Sequence, residues 1–102
     1  MPIRIKKYRF VISLVQYAPE ETGVYALWHG DEMIYLGRAA EKNEGIQHCL
    51  LEHLQGVRGP CTAKATHYSW EICLLPAVRE AEVLREFREV HQREPRCHSG
   101  SA

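Results

Sequence analysis

The stretch G-V-Y-A-L-W (23–28), H-G-D-E (29–32), M-I-Y-L-G (33–37) reads as two short strands around a turn. Val24, Tyr25, Trp28, Ile34 and Tyr35 favour a pleated, half-buried surface. His29-Gly30-Asp31 supplies turn chemistry between the two apolar runs. Each strand carries one tyrosine close to a glycine: Gly23-Val24-Tyr25 on the first, Tyr35-Leu36-Gly37 on the second. A purely structural hairpin would use Phe, Ile or Val more readily there. A phenol kept near a glycine points to another group approaching the backbone. The plainer alternative is that both tyrosines are amphipathic strand residues with hydroxyls in water. Tyr25 and Tyr35 are ten positions apart. For both to face one side, the loop must have an odd length or one strand must contain a bulge, because a one-residue slip reverses every side chain.

Working outward, residues 3–15 alternate imperfectly, with Tyr8, Phe10, Ile12 and Leu14 on one face. They are expected to form a strand, with a short helix from Val11 as the alternative. Ala18-Pro19-Glu20-Glu21-Thr22 breaks this segment before the hairpin. Arg38 to Asn43 is a polar connector. A helix follows from about Glu44 or Gly45 to Gln55, with Ile46, Leu50, Leu51 and Leu54 as its apolar stripe. Gly56 stops it at the C′ position. Gln55 to Ala65 contains the further breakers Gly59 and Pro60 and is expected to be a loop. His67 to Leu75 alternates, with Tyr68, Trp70, Ile72 and Leu74 facing inward. Pro76 opens the last helix at N1, where its missing N–H is harmless. Val83, Leu84, Phe87 and Val90 form that helix's buried stripe, and it ends before Pro95. The order is β-β-α-β-α, an α+β solution with a small three-stranded antiparallel sheet flanked by helices and room for one extra N-terminal strand. Residues 1–98 are expected to form one domain and 99–102 a disordered tail.

At 102 residues the chain is long enough for one core. Its 45% hydrophobic and 25% charged residues are ordinary for a soluble protein. It has neither a signal peptide pattern nor an apolar run long enough to span a membrane, so a cytoplasmic location follows by default. The formal net charge is zero, which argues mildly against tight sequence-independent binding to phosphates. Arg4, Lys6, Lys7 and Arg9 nevertheless cluster near the start with no acid among them. A solvated edge is the plainer reading of that cluster, and a phosphate-tracking arm the other. The cysteines Cys49, Cys61, Cys73 and Cys97 form no C-x-x-C pair and are expected to be free thiols.

The pair G-V-Y … Y-L-G, in a chain of this element order, resembles the signature of the GIY-YIG nuclease family. The resemblance runs from Pro19 to His98. It implies a catalytic Tyr25 and Tyr35, framed by Gly23, Val24, Leu36 and Gly37. It also implies a metal-binding glutamate on the last helix, ahead of a Pro-x-x-Asn ending. The matching residue is Glu86, and His98 stands in the asparagine's place. Glutamates on helices are ordinarily solvated and paired at i±3 or i±4. Glu82 can pair with Arg85, and Glu89 with Arg85 or Arg93. Glu86 instead has Glu82 and Glu89 as like-charged neighbours. The family often carries an arginine four residues before a histidine on the first helix. His53 fits the histidine, and the arginine position falls on Cys49, or on Gly45 by an ungapped count from Tyr35. Arg38, directly after Y-L-G, is the nearby cation that would replace it.

The resemblance implies phosphodiester hydrolysis in nucleic acid, DNA rather than RNA, with Mg²⁺ or Mn²⁺ held by Glu86 and waters. The alternative is a catalytically inactive member of the same fold that binds nucleic acid or a protein partner. A partner or self-association would supply substrate specificity. A rival constellation is a zinc site from His48, Cys49, His53 and Cys61, with Cys97 and His98 as further ligands. Neighbouring helical residues point about 100° apart, which makes the His48-Cys49 adjacency awkward.

Overall fold

The computed structural model describes residues 6–41 and 43–98. The elements are β1 (Tyr8–Arg9), α1 (Ile12–Val15), β2 (Gly23–His29), β3 (Glu32–Ala39), α2 (Ile46–Leu54), α3 (Pro60–Ala63), β4 (His67–Ile72) and α4 (Pro76–His91), closed by a 3-10 turn at Arg96–His98. The fold is α+β, with one antiparallel sheet in the order β1-β4-β2-β3. The additional strand in front is present but two residues long. The chain then turns into α1, the alternative over Val11 onward, and buries Phe10 and Val15 while Ile12 and Leu14 stay exposed. Residues 3–5 of the expected strand, including Arg4, lie outside the described residues, as do Lys42 and the expected tail 99–102. Among the described residues no helix is long and apolar enough to cross a membrane.

The hairpin decides which side chains meet. Gly30 and Asp31 form a two-residue turn, with Gly30 at φ 61°. Next to the turn His29 faces Glu32 and Trp28 faces Met33. Further along, Leu27 faces Tyr35 and Tyr25 faces Gly37. Ile34 is therefore the additional residue of a β-bulge. Without the bulge the two-residue turn would place the tyrosines on opposite faces, and with it they share one.

The sheet carries a core on each face. On the first, Tyr25, Leu27, Ile34 and Tyr68 pack under Phe10, Val15, Ile46, Cys49 and Leu50. On the second, Val24, Ala26, Met33 and Leu36 pack under Val83 and Phe87 of α4. Burying each large apolar side chain of this kind contributes roughly 1.5–3 kcal/mol. The buried stripe of α2 is Ile46, Cys49, Leu50 and His53, at i, i+3, i+4 and i+7. The expected stripe is thus rotated: Leu51 and Leu54 are only partly buried, because the face toward the sheet also carries Cys49 and His53. The helix ends in a Schellman motif. Gly56 N–H donates to the His53 carbonyl at 3.1 Å, and Val57 N–H donates to the Glu52 carbonyl at 3.0 Å.

Other expectations need correction. The 55–65 segment is not all loop, since Pro60–Ala63 forms one helical turn. β4 ends at Ile72, so Ile72 and Leu74 do not face a core and are exposed. The partner strand β2 begins at Gly23, opposite Ile72, and beyond that pair Cys73 N–H reaches the Thr22 carbonyl at 3.4 Å. Val90 is exposed at the far end of α4, past Phe87. Finally, Cys61 and Cys97 are not free thiols but form a disulfide, while Cys49 and Cys73 are free. Their separation of 36 positions brings α3 and the 3-10 turn together. Closing a loop of that size stabilises by about 3–4 kcal/mol in the chain-entropy model.

Candidate active site

The two phenols and two imidazoles gather on the first face of the sheet. The Tyr25 hydroxyl lies 3.0 Å from His53 Nε2, and His53 Nδ1 lies 2.8 Å from Thr62 Oγ1. All three residues are buried. A neutral imidazole donates through one nitrogen and accepts through the other. The hydroxyls of Tyr25 and Thr62 therefore take opposite roles, linked by the ring. The Tyr35 ring sits between two imidazoles, with centroids 4.9 Å from His53 and 4.7 Å from His98, and 6.2 Å from the Tyr25 ring. His98 Nε2 accepts a hydrogen bond from the Leu36 backbone N–H at 3.0 Å. It therefore supports β3 and the tyrosine at once. Gly37 is required by the same packing. A Cβ there would stand 2.5 Å from the Tyr25 Cζ and hydroxyl and 2.9 Å from the Tyr35 ring.

Burial governs the electrostatics. It lowers the His53 pKa to about 4, with the Arg58 guanidinium adding to the effect and Glu52 opposing it. His53 is thus neutral at pH 7. Burial also pushes the Tyr25 phenol well above its usual range. Tyr35 and Cys49 add to that push, and Arg58 opposes it. Burial likewise raises the Cys49 thiol, again against Arg58.

Arg58 is the cation that acts on Tyr25, Cys49 and His53 alike. It lies between Gly56 (φ 80°) and Gly59 (φ 106°). These left-handed residues turn the chain back alongside α2. There Arg58 Nε and Nη2 donate to Glu52 Oε1 at 2.9 and 2.7 Å. His48 bonds the other Glu52 oxygen at 3.3 Å. The one available signal was an arginine flanked by two glycines directly after a helix. Thr62 was also missed, because its segment was read as loop.

The remaining candidates lie elsewhere. Cys49 does not leave an open place for a phosphate-binding cation. It is buried in the first core beside Tyr25 and Arg58, with Sγ 3.9 Å from the Glu44 carbonyl oxygen. Arg38 alternates onto the second face beside Val24 and pairs with Glu80 of α4 at 3.3 Å. Glu86 is half-buried on α4 with Oε1 sealed from solvent. It lines a cleft of about 610 Å³ with Trp28, Met33, Val83, Phe87 and His91. Glu82 pairs with Arg79 at 3.3 Å rather than with Arg85, and Glu86 is not left unpartnered. Lys7 lies over the Trp28 ring at 4.0 Å and 3.7 Å from Asp31, at the turn end of the sheet.

Among the described residues no group of three or more His, Cys, Asp or Glu side chains could hold a metal ion. The zinc constellation is not assembled: Cys61 is bonded to Cys97, and both His53 nitrogens face hydroxyls. A single carboxylate such as Glu86 suits a cation that keeps most of its waters, as Mg²⁺ does.

Two crystal structures share this architecture. One is the GIY-YIG N-terminal endonuclease domain of UvrC from Thermotoga maritima bound to its catalytic divalent cation, magnesium. The other is a point mutant of that domain bound to its catalytic divalent cation. Each is 21% identical to this chain with a TM-score of 0.58, and each match covers 74% of this chain and 88% or 87% of the other. The chain therefore has the fold of a GIY-YIG endonuclease domain. No protein-family model matches it, and no curated protein does.

Proposed function

We propose that this chain is a divalent-cation-dependent endonuclease that hydrolyses phosphodiester bonds in DNA. The observation that carries this reading is the buried chain Tyr25–His53–Thr62, with Tyr35 on the same face. With the His53 proton on Nδ1 and donated to Thr62, Nε2 accepts from the Tyr25 hydroxyl. That arrangement fixes the Tyr25 hydroxyl as a donor to His53 and leaves the neighbouring Tyr35 phenol to accept from and orient an attacking water. Tyr35 is the half-buried member of the pair and so the one nearer to solvent. Arg58 supplies the positive charge for the phosphate oxygens, in place of the arginine that the first helix lacks. Glu86, on α4 over the second face, would hold Mg²⁺ or Mn²⁺, an ion that supplies Lewis-acid polarisation of a phosphate; no step at Tyr25, Tyr35 or Arg58 is routed through it.

One observation favours the non-catalytic alternative, a module that binds nucleic acid without cutting it. Tyr25 is only 1% exposed, and burial holds its phenol firmly protonated. Cleavage of branched, single-stranded and duplex DNA in Mg²⁺ or Mn²⁺ separates the two readings. We expect cleavage by the wild type and none by Tyr35→Phe or Glu86→Gln. Retarded migration of the DNA without cutting under every condition would leave only the binding module.

A further inference from the structure

The disulfide joins two supports of the tyrosine site. Cys61 is followed by Thr62, which bonds His53 Nδ1 at 2.8 Å, and Cys97 is followed by His98, which bonds Leu36 N and packs on Tyr35. One covalent bond therefore fixes the segment behind each tyrosine. The two sulfurs differ in access. Cys97 is 5% exposed, whereas Cys61 is half-buried and lines a cleft of about 360 Å³ with His29, Pro60, Lys64 and Arg96. Lys64 and Arg96 bring positive charge to the mouth beside the Cys61 sulfur, with Arg96 3.7 Å from the Glu32 carboxylate.

We infer that Cys61 is a thiol-exchange site for small anionic thiols, and that this exchange cuts the covalent tie between the Thr62 and His98 supports of the tyrosine pair. The thiolate attacks Cys61 Sγ, forming a mixed disulfide. The Cys61–Cys97 bond breaks and Cys97 leaves as a thiolate. A second thiol molecule attacks the mixed disulfide and releases the oxidised thiol dimer, leaving Cys61 reduced. Two electrons and the balancing protons come from the two thiol molecules. Attack falls on Cys61 because access, as well as leaving-group character, selects the sulfur. The basic cleft raises the local concentration of a carboxylate- or sulfonate-bearing thiol. The Cys97–His98 segment, no longer tied to α3, keeps its non-covalent contacts with β3: the His98–Leu36 hydrogen bond, the packing on Tyr35 and the Arg96–Glu32 ion pair at 3.7 Å. This inference does not depend on phosphodiester cleavage.

The test uses full-length protein isolated without reductant, in which intact mass and peptide mapping should find the Cys61–Cys97 bond. Reduction is followed with 2-mercaptoethanesulfonate (anionic), 2-mercaptoethanol (neutral) and cysteamine (cationic), with rates corrected for thiolate fraction. The anionic thiol should react about tenfold faster than the cationic one at low salt, and the gap should close at high salt. Trapped mixed disulfide should map to Cys61, and Lys64→Gln should shrink the charge preference. Imidazole and ring NMR signals of His98 and Tyr35 should shift on reduction, while the amide signals of β2 stay in place. Absence of the bond, equal rates for the three thiols, adducts on Cys97, or His98 and Tyr35 signals indifferent to reduction would each overturn the inference.

Discussion

Tyr25 and His53, 28 positions apart in sequence, share a hydrogen bond of 3.0 Å inside the first core. Neither is more than 1% exposed. A buried hydroxyl and a buried imidazole each need a partner, and here each is the other's. Removing the Tyr25 hydroxyl strands His53 Nε2. Tyr25→Phe should therefore destabilise the protein by about 1–3 kcal/mol in urea unfolding, even though the ring that fills the core is kept.

The same burial makes stability depend on pH. His53 has a folded pKa of about 4 against an ordinary 6.5. Between these values the unfolded chain binds the proton and the folded chain does not. Stability from this group is complete above pH 6.5 and is lost as pH falls toward 4, amounting to roughly 3 kcal/mol. Unfolding free energies measured across that range should show a steeper acid decline in the wild type than in His53→Gln. Parallel curves would assign the decline to the carboxylates.

Gly37→Ala tests the packing of the pair. The new methyl would collide with the Tyr25 Cζ and hydroxyl at 2.5 Å. The aromatic end it meets is pinned by His53, so it cannot swing aside without breaking that bond. We expect a loss of about 1–3 kcal/mol, as for other overpacked sites, together with a changed tyrosine ring environment by NMR. A melting temperature equal to wild type would show that the rings yield.

Arg58 and Arg38 are expected to separate cleanly in a cleavage assay. Arg58 acts on Tyr25 and His53, whereas Arg38 lies on the other face against Glu80. Arg58→Ala should lower the cleavage rate by ~10²–10³-fold, the usual loss for one charged contact to a transition state. Arg38→Ala should change it little. A reversed order would return the phosphate-binding role to Arg38.

Glu86→Gln should abolish divalent-ion-dependent cleavage with the fold intact by circular dichroism. Glu82→Gln should leave cleavage near wild type. It removes only an ion pair with Arg79 on a half-exposed side chain, a type worth at most about 1 kcal/mol. Equal losses from both would mean that the ligand is misassigned.

Much of the architecture was readable from residue order alone. The hairpin with its turn in His29-Gly30-Asp31, the helix after Gly45, the C′ glycine Gly56 and the Pro76 start all rest on period, φ preference and capping, which act within a few residues. The Y-L-G and G-V-Y pair likewise pointed to a shared tyrosine face that needs an odd loop or a bulge, and the structure has the bulge, at Ile34. What could not be read depends on contacts between distant segments. The buried stripe of α2 is set by how the helix rolls on the sheet, so Cys49 and His53 turned inward and Leu51 and Leu54 partly outward. Thr62 reached His53 because one helical turn formed inside an expected loop, and Arg58 reached the site because two positive-φ glycines folded it back. Cys61 and Cys97 met across 36 positions, and His98 met Leu36 across 62. Spacing along a chain carries no record of such encounters. They follow from the way α2, the 58–62 segment and the 3-10 turn converge over the first face of the sheet on the same pair of tyrosines.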